Sequence, residues 1–212
     1  MSARAIIADD HPLFRAAMQQ AIMSVLGGDI LQAANLSGTL EQLENNDSVE
    51  LVFLDLNMPG NQGLTGLSTI RNNFPGVLVI MVSAEEDPDI IRRAIDFGAS
   101  GYIPKSAPLE LIADAVQQVL DGEQWLPEEL RLQIENSSNE QDKCFARKLE
   151  QLTPHQFKVL KLLADGLLNK QIAYELNVQE TTIKQHVSAV LRKLEVINRT
   201  QAGVVFRQIM GE

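Results

Sequence analysis

The chain has 212 residues, of which 45% are apolar and 22% charged, with a formal net charge of −10 and a single cysteine, Cys144. That length holds one large domain or two modest ones with separate cores, and the composition is that of an ordinary globular protein rather than a disordered or fibrous one. One cysteine excludes an internal disulfide, no apolar run approaches the roughly 18 residues of a membrane helix, and the apolar run near the N-terminus is too short for a secretory signal, so a cytoplasmic protein is expected.

The first 121 residues alternate two patterns. Ala5–Ala8, Ile30–Ala33, Leu51–Leu54, Val77–Val82 and Gly101–Ile103 are short apolar runs, continuous rather than alternating, as strands covered on both faces are. Helical stretches separate them. The clearest places Ile112, Ala115, Val116 and Val119 at i, i+3, i+4 and i+7. Repeated strand-then-helix units predict an α/β fold with a doubly wound five-stranded parallel sheet over residues 1–121.

Residues 122–148 change character. Gly122, Pro127 and the polar run Glu135–Asp142 predict a linker with a short helix near Glu128–Ile134. Residues 149–212 predict a small all-α domain. Thr153-Pro154-His155-Gln156 is a capping box with proline at the first helical position. Asp165-Gly166 closes that helix, and Asn169 is the expected cap of the next. Asn177-Val178 turns into a third helix whose buried face is Ile183, Val187, Val190, Leu191 and Leu194, and a fourth starts near Asn198.

Ligands of a parallel α/β sheet bind beyond the carboxyl ends of its strands. There the sequence carries Asp9-Asp10 after the first run, Asp55 followed by Leu56-Asn57-Met58-Pro59-Gly60 after the third, Ser83 after the fourth and Lys105 after the fifth. An aspartate after a strand is ordinarily a turn or cap residue, and a lysine there a solvated charge. Their convergence on one sheet edge is another matter. Clustered carboxylates repel one another and call for a cation, and an all-oxygen donor set with room for water suits Mg²⁺. One carboxylate can then act as nucleophile toward a phosphoryl group, with a hydroxyl and an ammonium to bind its oxygens.

These residues resemble the receiver domain of bacterial two-component response regulators, a flavodoxin-like fold. The resemblance implies that Asp55 accepts a phosphoryl group from a sensor histidine kinase. It implies that Asp10, Asp55 and the main-chain carbonyl of Asn57 ligate Mg²⁺, with Asp9 acting mainly through water. Lys105 and Ser83 would contact the phosphoryl group, and Tyr102 would be the aromatic that turns inward with Ser83. One departure is visible: Ser106 follows Lys105 where many receivers have proline. His11, beside the acidic pair, is expected to be only a loop or helix-start residue.

Charge is unevenly spread. Residues 1–121 carry 6 basic and 16 acidic side chains, 122–150 carry 4 and 7, and 151–212 carry 8 and 5. An acidic body with a mildly basic tail hints at nucleic-acid binding, although an uneven solvated surface gives the same figures. Along Glu180–Leu194 the apolar stripe lies on one side, while Lys184, Gln185 and Ser188 share the other, with Arg192 a turn on. Such a polar, basic face fits the major groove, where glutamine bonds adenine and lysine bonds guanine. Thr181, Thr182, Arg192, Lys193, Asn169 and Lys170 are candidates for phosphate contacts, which position without specifying. A solvated helix face remains the ordinary alternative.

The run from Leu152 to about Ala202 is similar to the LuxR-type helix-turn-helix, and joined to a receiver it is the architecture of the NarL/FixJ family. The resemblance implies double-stranded DNA as a partner and a homodimer, with Val205 and Ile209 on the last helix as candidate dimer contacts, and it leaves RNA polymerase open as a further partner. The family's capping Ser or Thr is here Gln179, its frequent Arg-Glu is here His155-Gln156, and Ser188 stands where some relatives are basic. His186 is expected to pack rather than read bases. A rival reading is a Mg²⁺-dependent phosphotransferase or phosphatase, but phosphatases built on aspartyl-phosphate commonly place a second acid two residues after the nucleophile, where this chain has Asn57. Two further rivals are a receiver that serves only as a dimerisation module and a tail that binds no DNA.

Overall fold

The computed structural model describes residues 3–27, 29–135 and 140–211, which fall into two compact units divided after Asn139. In the first unit β1 (Ala3–Ala8), β2 (Asp29–Ala33), β3 (Leu51–Asp55), β4 (Leu78–Ser83) and β5 (Gly101–Pro104) pair in parallel. Their order is β2-β1-β3-β4-β5, so the chain reverses its direction of travel between β1 and β3. That switch point opens a crevice at the carboxyl edge of the sheet.

The helices are α1 (Pro12–Leu26), α2 (Leu36–Asn45), α3 (Thr65–Asn73), α4 (Pro88–Asp96), α5 (Leu109–Leu120) and α6 (Glu128–Glu135). Strand side chains alternate between faces. Ala5, Ile7, Leu51, Phe53, Ile80, Val82 and Ile103 pack with Met18 and Ile22 of α1 and with Ile112, Ala115, Val116 and Val119 of α5. On the other face, α2 packs on β1 and β2, α3 on β4 and α4 on β5. Burial on both sides is why the runs are continuous.

The segment after α5 does not behave as a linker. Trp125 is buried, its N–H donates to the Ser100 oxygen at 3.1 Å, and its own oxygen accepts from Tyr102 N–H at 3.1 Å. It forms an isolated bridge with Gly101 that covers part of the free edge of β5. A Cβ on Gly101 would lie 3.0 Å from the Trp125 oxygen, so this close approach favours glycine. The short helix expected near Glu128–Ile134 is α6, and it packs on α4.

The second unit also begins earlier than the sequence pattern suggests. α7 (Glu140–Glu150) occupies the end of the stretch read as linker, because Phe145, Ala146 and Leu149, followed by Leu152, form a buried stripe against the rest of the unit. Then come α8 (Pro154–Ala164), α9 (Asn169–Glu175), α10 (Glu180–Leu194) and α11 (Arg199–Met210). The capping box at α8 forms as expected: Thr153 Oγ accepts Gln156 N–H and Gln156 Oε1 accepts Thr153 N–H. Asn177, at φ 51°, makes the turn into α10, and Asn198 caps α11.

Two expectations change here. Asn169 is the first residue within α9 rather than its cap; Leu168 precedes the helix, and the Gln171 side chain accepts Leu168 N–H at 2.7 Å. Val187 and Leu191 are half-buried, so the core stripe of α10 narrows to Ile183, Val190 and Leu194.

Candidate functional site

The acidic residues meet at the switch point. Asp9 is 2% exposed and Asp55 3% exposed, while Asp10 lies at the surface. Lys105 Nζ sits 2.7 Å from Asp9 Oδ2 and 3.1 Å from Asp55 Oδ2. Its main-chain N–H donates to the Ser83 oxygen at 2.8 Å, and its ammonium lies 5.1 Å from the Phe14 ring centre. Arg15 donates to the Asp9 main-chain oxygen at 2.6 Å. The parallel register brings Asp55 beside Val82 and Ser83 beside Pro104, so the ends of β3, β4 and β5 stand level.

A cleft of about 260 Å³ opens over these groups, lined by His11, Asp55, Asn57, Ser83, Ala84, Glu85 and Lys105. Burial pushes the Asp55 carboxyl above its usual range, against the bonds from Lys105 and the Asn57 N–H that favour its charged form. Burial alone would lower Lys105, but its bonds to Asp9 and Asp55 more than offset this and hold it above its ordinary value. Three carboxylates face one ammonium, which leaves a negative site. One ligand atom each from Asp9, Asp10, His11 and Asp55 lies within 4.8 Å of the others. Hard oxygen donors and residual negative charge fit a small divalent cation.

His11 stands at the N-cap of α1, the helix-start position expected of it, and it also reaches the acidic pair. Its Nδ1 lies 2.7 Å from Asp10 Oδ1 and 3.1 Å from Asp9 Oδ1, and its N–H donates to Asp9 at 2.7 Å. Ser83 is buried, and its Oγ accepts Glu85 N–H at 3.1 Å. Tyr102 is fully buried and points inward. Burial, together with the neighbouring charges of Glu85, Asp55 and Glu86, pushes its hydroxyl up to about 12. Ser106, at the position where many receivers have proline, donates to Glu86 at 2.7 Å and ties the loop after β5 to the loop after β4.

In the second unit, Thr181, Lys184, Gln185, Ser188 and Arg192 are exposed on α10, Lys170 is exposed on α9, and Thr182 and Asn169 are half-buried. Lys184 pairs with Glu180 at 2.9 Å. Lys193 is placed differently from its expected role: its ammonium donates to the Gln151 oxygen at 2.8 Å and to Gln156 Oε1 at 2.7 Å, stapling α10 to the start of α8. His186 packs at 5.2 Å from the His155 ring centre. Gln179 provides no side-chain cap.

Two family models match the chain: the response regulator receiver domain over residues 5–117 and the bacterial regulatory proteins of the luxR family over residues 150–206. The chain is 43% identical over 203 residues to the glycerol metabolism activator of Pseudomonas putida, covering 93% of this chain and 91% of that protein. It is 34% identical over 206 residues to the nitrate/nitrite response regulator NarL of Escherichia coli K12, covering 96% and 94%. RcsB of Salmonella typhimurium shares the fold at a TM-score of 0.59 and 23% identity, covering 97% of this chain and 98% of that one. The fold, the acidic crevice and the helical tail therefore define a two-domain, DNA-binding transcription regulator rather than a classical enzyme. Within that class the chain belongs to the NarL/FixJ-family response regulators, with a receiver followed by a luxR-type helix-turn-helix.

Proposed function

We propose that Asp55 is the phosphoacceptor. A carboxylate oxygen of Asp55 attacks the phosphorus of a phosphohistidine on a sensor kinase. The P–N bond breaks, and the leaving imidazole takes up a proton. The observation that carries this reading is Lys105 bridging Asp9 and Asp55 on the wall of an open cleft. The ammonium is already placed to leave Asp55 for an incoming phosphoryl oxygen.

Asp10, Asp55 and the Asn57 carbonyl would hold Mg²⁺, with Asp9 acting through water. When bound, the ion supplies positive charge to the phosphoryl oxygens. Lys105 contacts the same group, and Ser83 leaves Glu85 N–H to donate to it. Tyr102 stays inward behind Ser83. The receiver in this way promotes its own phosphorylation and dephosphorylation. Phosphorylation adds about −1.5 to −2 charges, and shifts a two-state equilibrium only through such differential contacts.

The output is DNA binding in the cytoplasm. Lys184, Gln185 and Ser188 face base edges, while Thr181, Thr182, Arg192, Lys170 and Asn169 contact phosphates. The chain acts as a homodimer through α11, where Val205 and Ile209 are half-buried and Val204 is exposed. Pairing two weakly basic tails raises affinity through effective concentration, and RNA polymerase is the natural further partner. The test is a gel-shift titration on genomic fragments with and without acetyl phosphate and Mg²⁺. Phosphodonor should tighten specific binding in the wild type and not in Asp55→Asn. Specific binding indifferent to both would make the receiver a fixed module, and no binding in any state would remove DNA as the partner.

A further inference from the structure

Asn61 lies on the loop from β3 to α3, outside the groups invoked so far, and is 1% exposed. Its side-chain amide is bonded at both ends. Nδ2 donates to the main-chain oxygens of Asp55 at 2.6 Å and Leu56 at 3.2 Å, and Oδ1 accepts Gly66 N–H at 2.6 Å. Its backbone closes the turn with Met58, donating at 2.8 Å and accepting at 3.3 Å. Leu64 offers α3 no side-chain cap, so Asn61 satisfies a helix N-terminal amide from outside the helix. Gly66 is cut to this contact: a Cβ there would lie 2.5 Å from Asn61 Oδ1.

The bracket reaches the nucleophile through one peptide group. The Leu56–Asn57 peptide is planar and trans, so its oxygen and its N–H point in opposite directions. The oxygen accepts Asn61 Nδ2 at 3.2 Å, and the N–H on the far edge faces the Asp55 carboxylate and favours its charged form. An amide is costly to bury unless paired, and an apolar side chain would fill the same space without that cost. We infer that Asn61 is a positioning residue for phosphoryl transfer: through the Leu56–Asn57 peptide it aims the Asp55 carboxylate, and through Gly66 it ties that aim to α3. This rests on Asp55 as the phosphoacceptor.

Asn61→Met and Gly66→Ala break the bracket from opposite ends. Val119→Ala, in the core between the sheet and α5, is the stability control. In the full chain with saturating Mg²⁺ and acetyl phosphate, both bracket variants should phosphorylate about tenfold more slowly, the loss of one buried hydrogen bond. In ¹⁵N spectra without Mg²⁺ the Asn57 amide proton should move upfield in both. Val119→Ala should stay within about twofold in rate and leave that resonance in place. An unchanged rate and Asn57 resonance in both bracket variants, or equal slowing in Val119→Ala, would overturn the positioning role. Asp55→Asn, run alongside, separates the two levels: if it takes no label, the failure concerns Asn61 alone, and if it is labelled, the phosphoacceptor assignment falls and this inference with it.

Discussion

The Tyr102 hydroxyl donates to the main-chain oxygen of Glu85 at 2.7 Å, while the N–H of the same Glu85 donates to Ser83 at 3.1 Å. Glu85 therefore locks β5 to the end of β4 and occupies the hydroxyl that a phosphoryl group would claim. Tyr102→Phe keeps the ring's packing and removes only the hydroxyl bond. The expected cost is about 1 kcal/mol of receiver stability in urea unfolding. A variant as stable as the wild type would show that the bond contributes nothing net.

Asp55 should lower the stability of the fold it sits in. Burial raises its carboxyl above 3.8, so between that value and the raised one the folded state holds more protons than the unfolded state. Stability then falls as pH rises through the window, and at neutral pH the charged carboxylate is a burden. Asp55→Asn should raise the receiver's thermal midpoint in chelator at about pH 7.5, with the gain shrinking as pH approaches the unfolded-state value. A midpoint that drops, or a gain independent of pH, would refute the assignment of burial as the dominant influence.

Lys105 is the ammonium that bridges the two buried carboxylates, so its removal should make the receiver depend on metal. Lys105→Ala leaves Asp9 and Asp55 facing each other uncompensated, a loss of about 3 kcal/mol for a broken buried pair. Millimolar Mg²⁺ should restore most of it, with a larger rise in thermal midpoint than in the wild type, since ion binding to the folded state stabilises by mass action. Equal Mg²⁺ responses in the two proteins would mean that the cation does not occupy this site.

Much of this was legible in the sequence because it depends on local pattern. Continuous apolar runs mark β1 to β5, and the residues closing them must share one sheet edge, which places Asp9, Asp10, Asp55, Ser83 and Lys105 together. What escaped depends on contacts between distant elements. Trp125 is one aromatic among polar neighbours, and only the free edge of β5 gives it a partner. Asn61 looks like a turn asparagine until Gly66, five residues on, is seen to accommodate it. The stripe of Phe145, Ala146 and Leu149 was available at helical spacing, but the preceding polar run outweighed it. Lys193 lies on the side of α10 that faces Gln151 and Gln156, a neighbourhood that periodicity along one helix does not reveal.

The packed histidines give the C-terminal unit an acid sensitivity. Burial, helped by the facing His155, lowers His186 below 6.5. The unfolded chain therefore binds its proton first as pH falls below that value, and stability is lost until the folded-state pKa is reached. The thermal midpoint of this unit should fall between about pH 7.5 and 5.5, and His186→Gln should flatten the profile. An identical slope in the variant would assign the sensitivity elsewhere.

Glu180 restrains the basic face of α10. It pairs with Lys184 at 2.9 Å on an exposed helical turn, and so offsets the charge that the proposed contact of Lys184 with DNA would use. The pair contributes about 0.3–0.5 kcal/mol to the helix, and Glu180 also complements the helix N-terminus. Glu180→Gln should thus cost the fold a few tenths of a kcal/mol while freeing Lys184 and removing repulsion of the phosphates. Fluorescence anisotropy should show DNA affinity several-fold higher at low salt. That gain should close as salt is raised, because screening shortens the reach of both charges to about 8 Å at physiological ionic strength. Weaker binding in Glu180→Gln at every salt concentration would instead make Glu180 a contact in its own right, accepting from a cytosine amine in the groove.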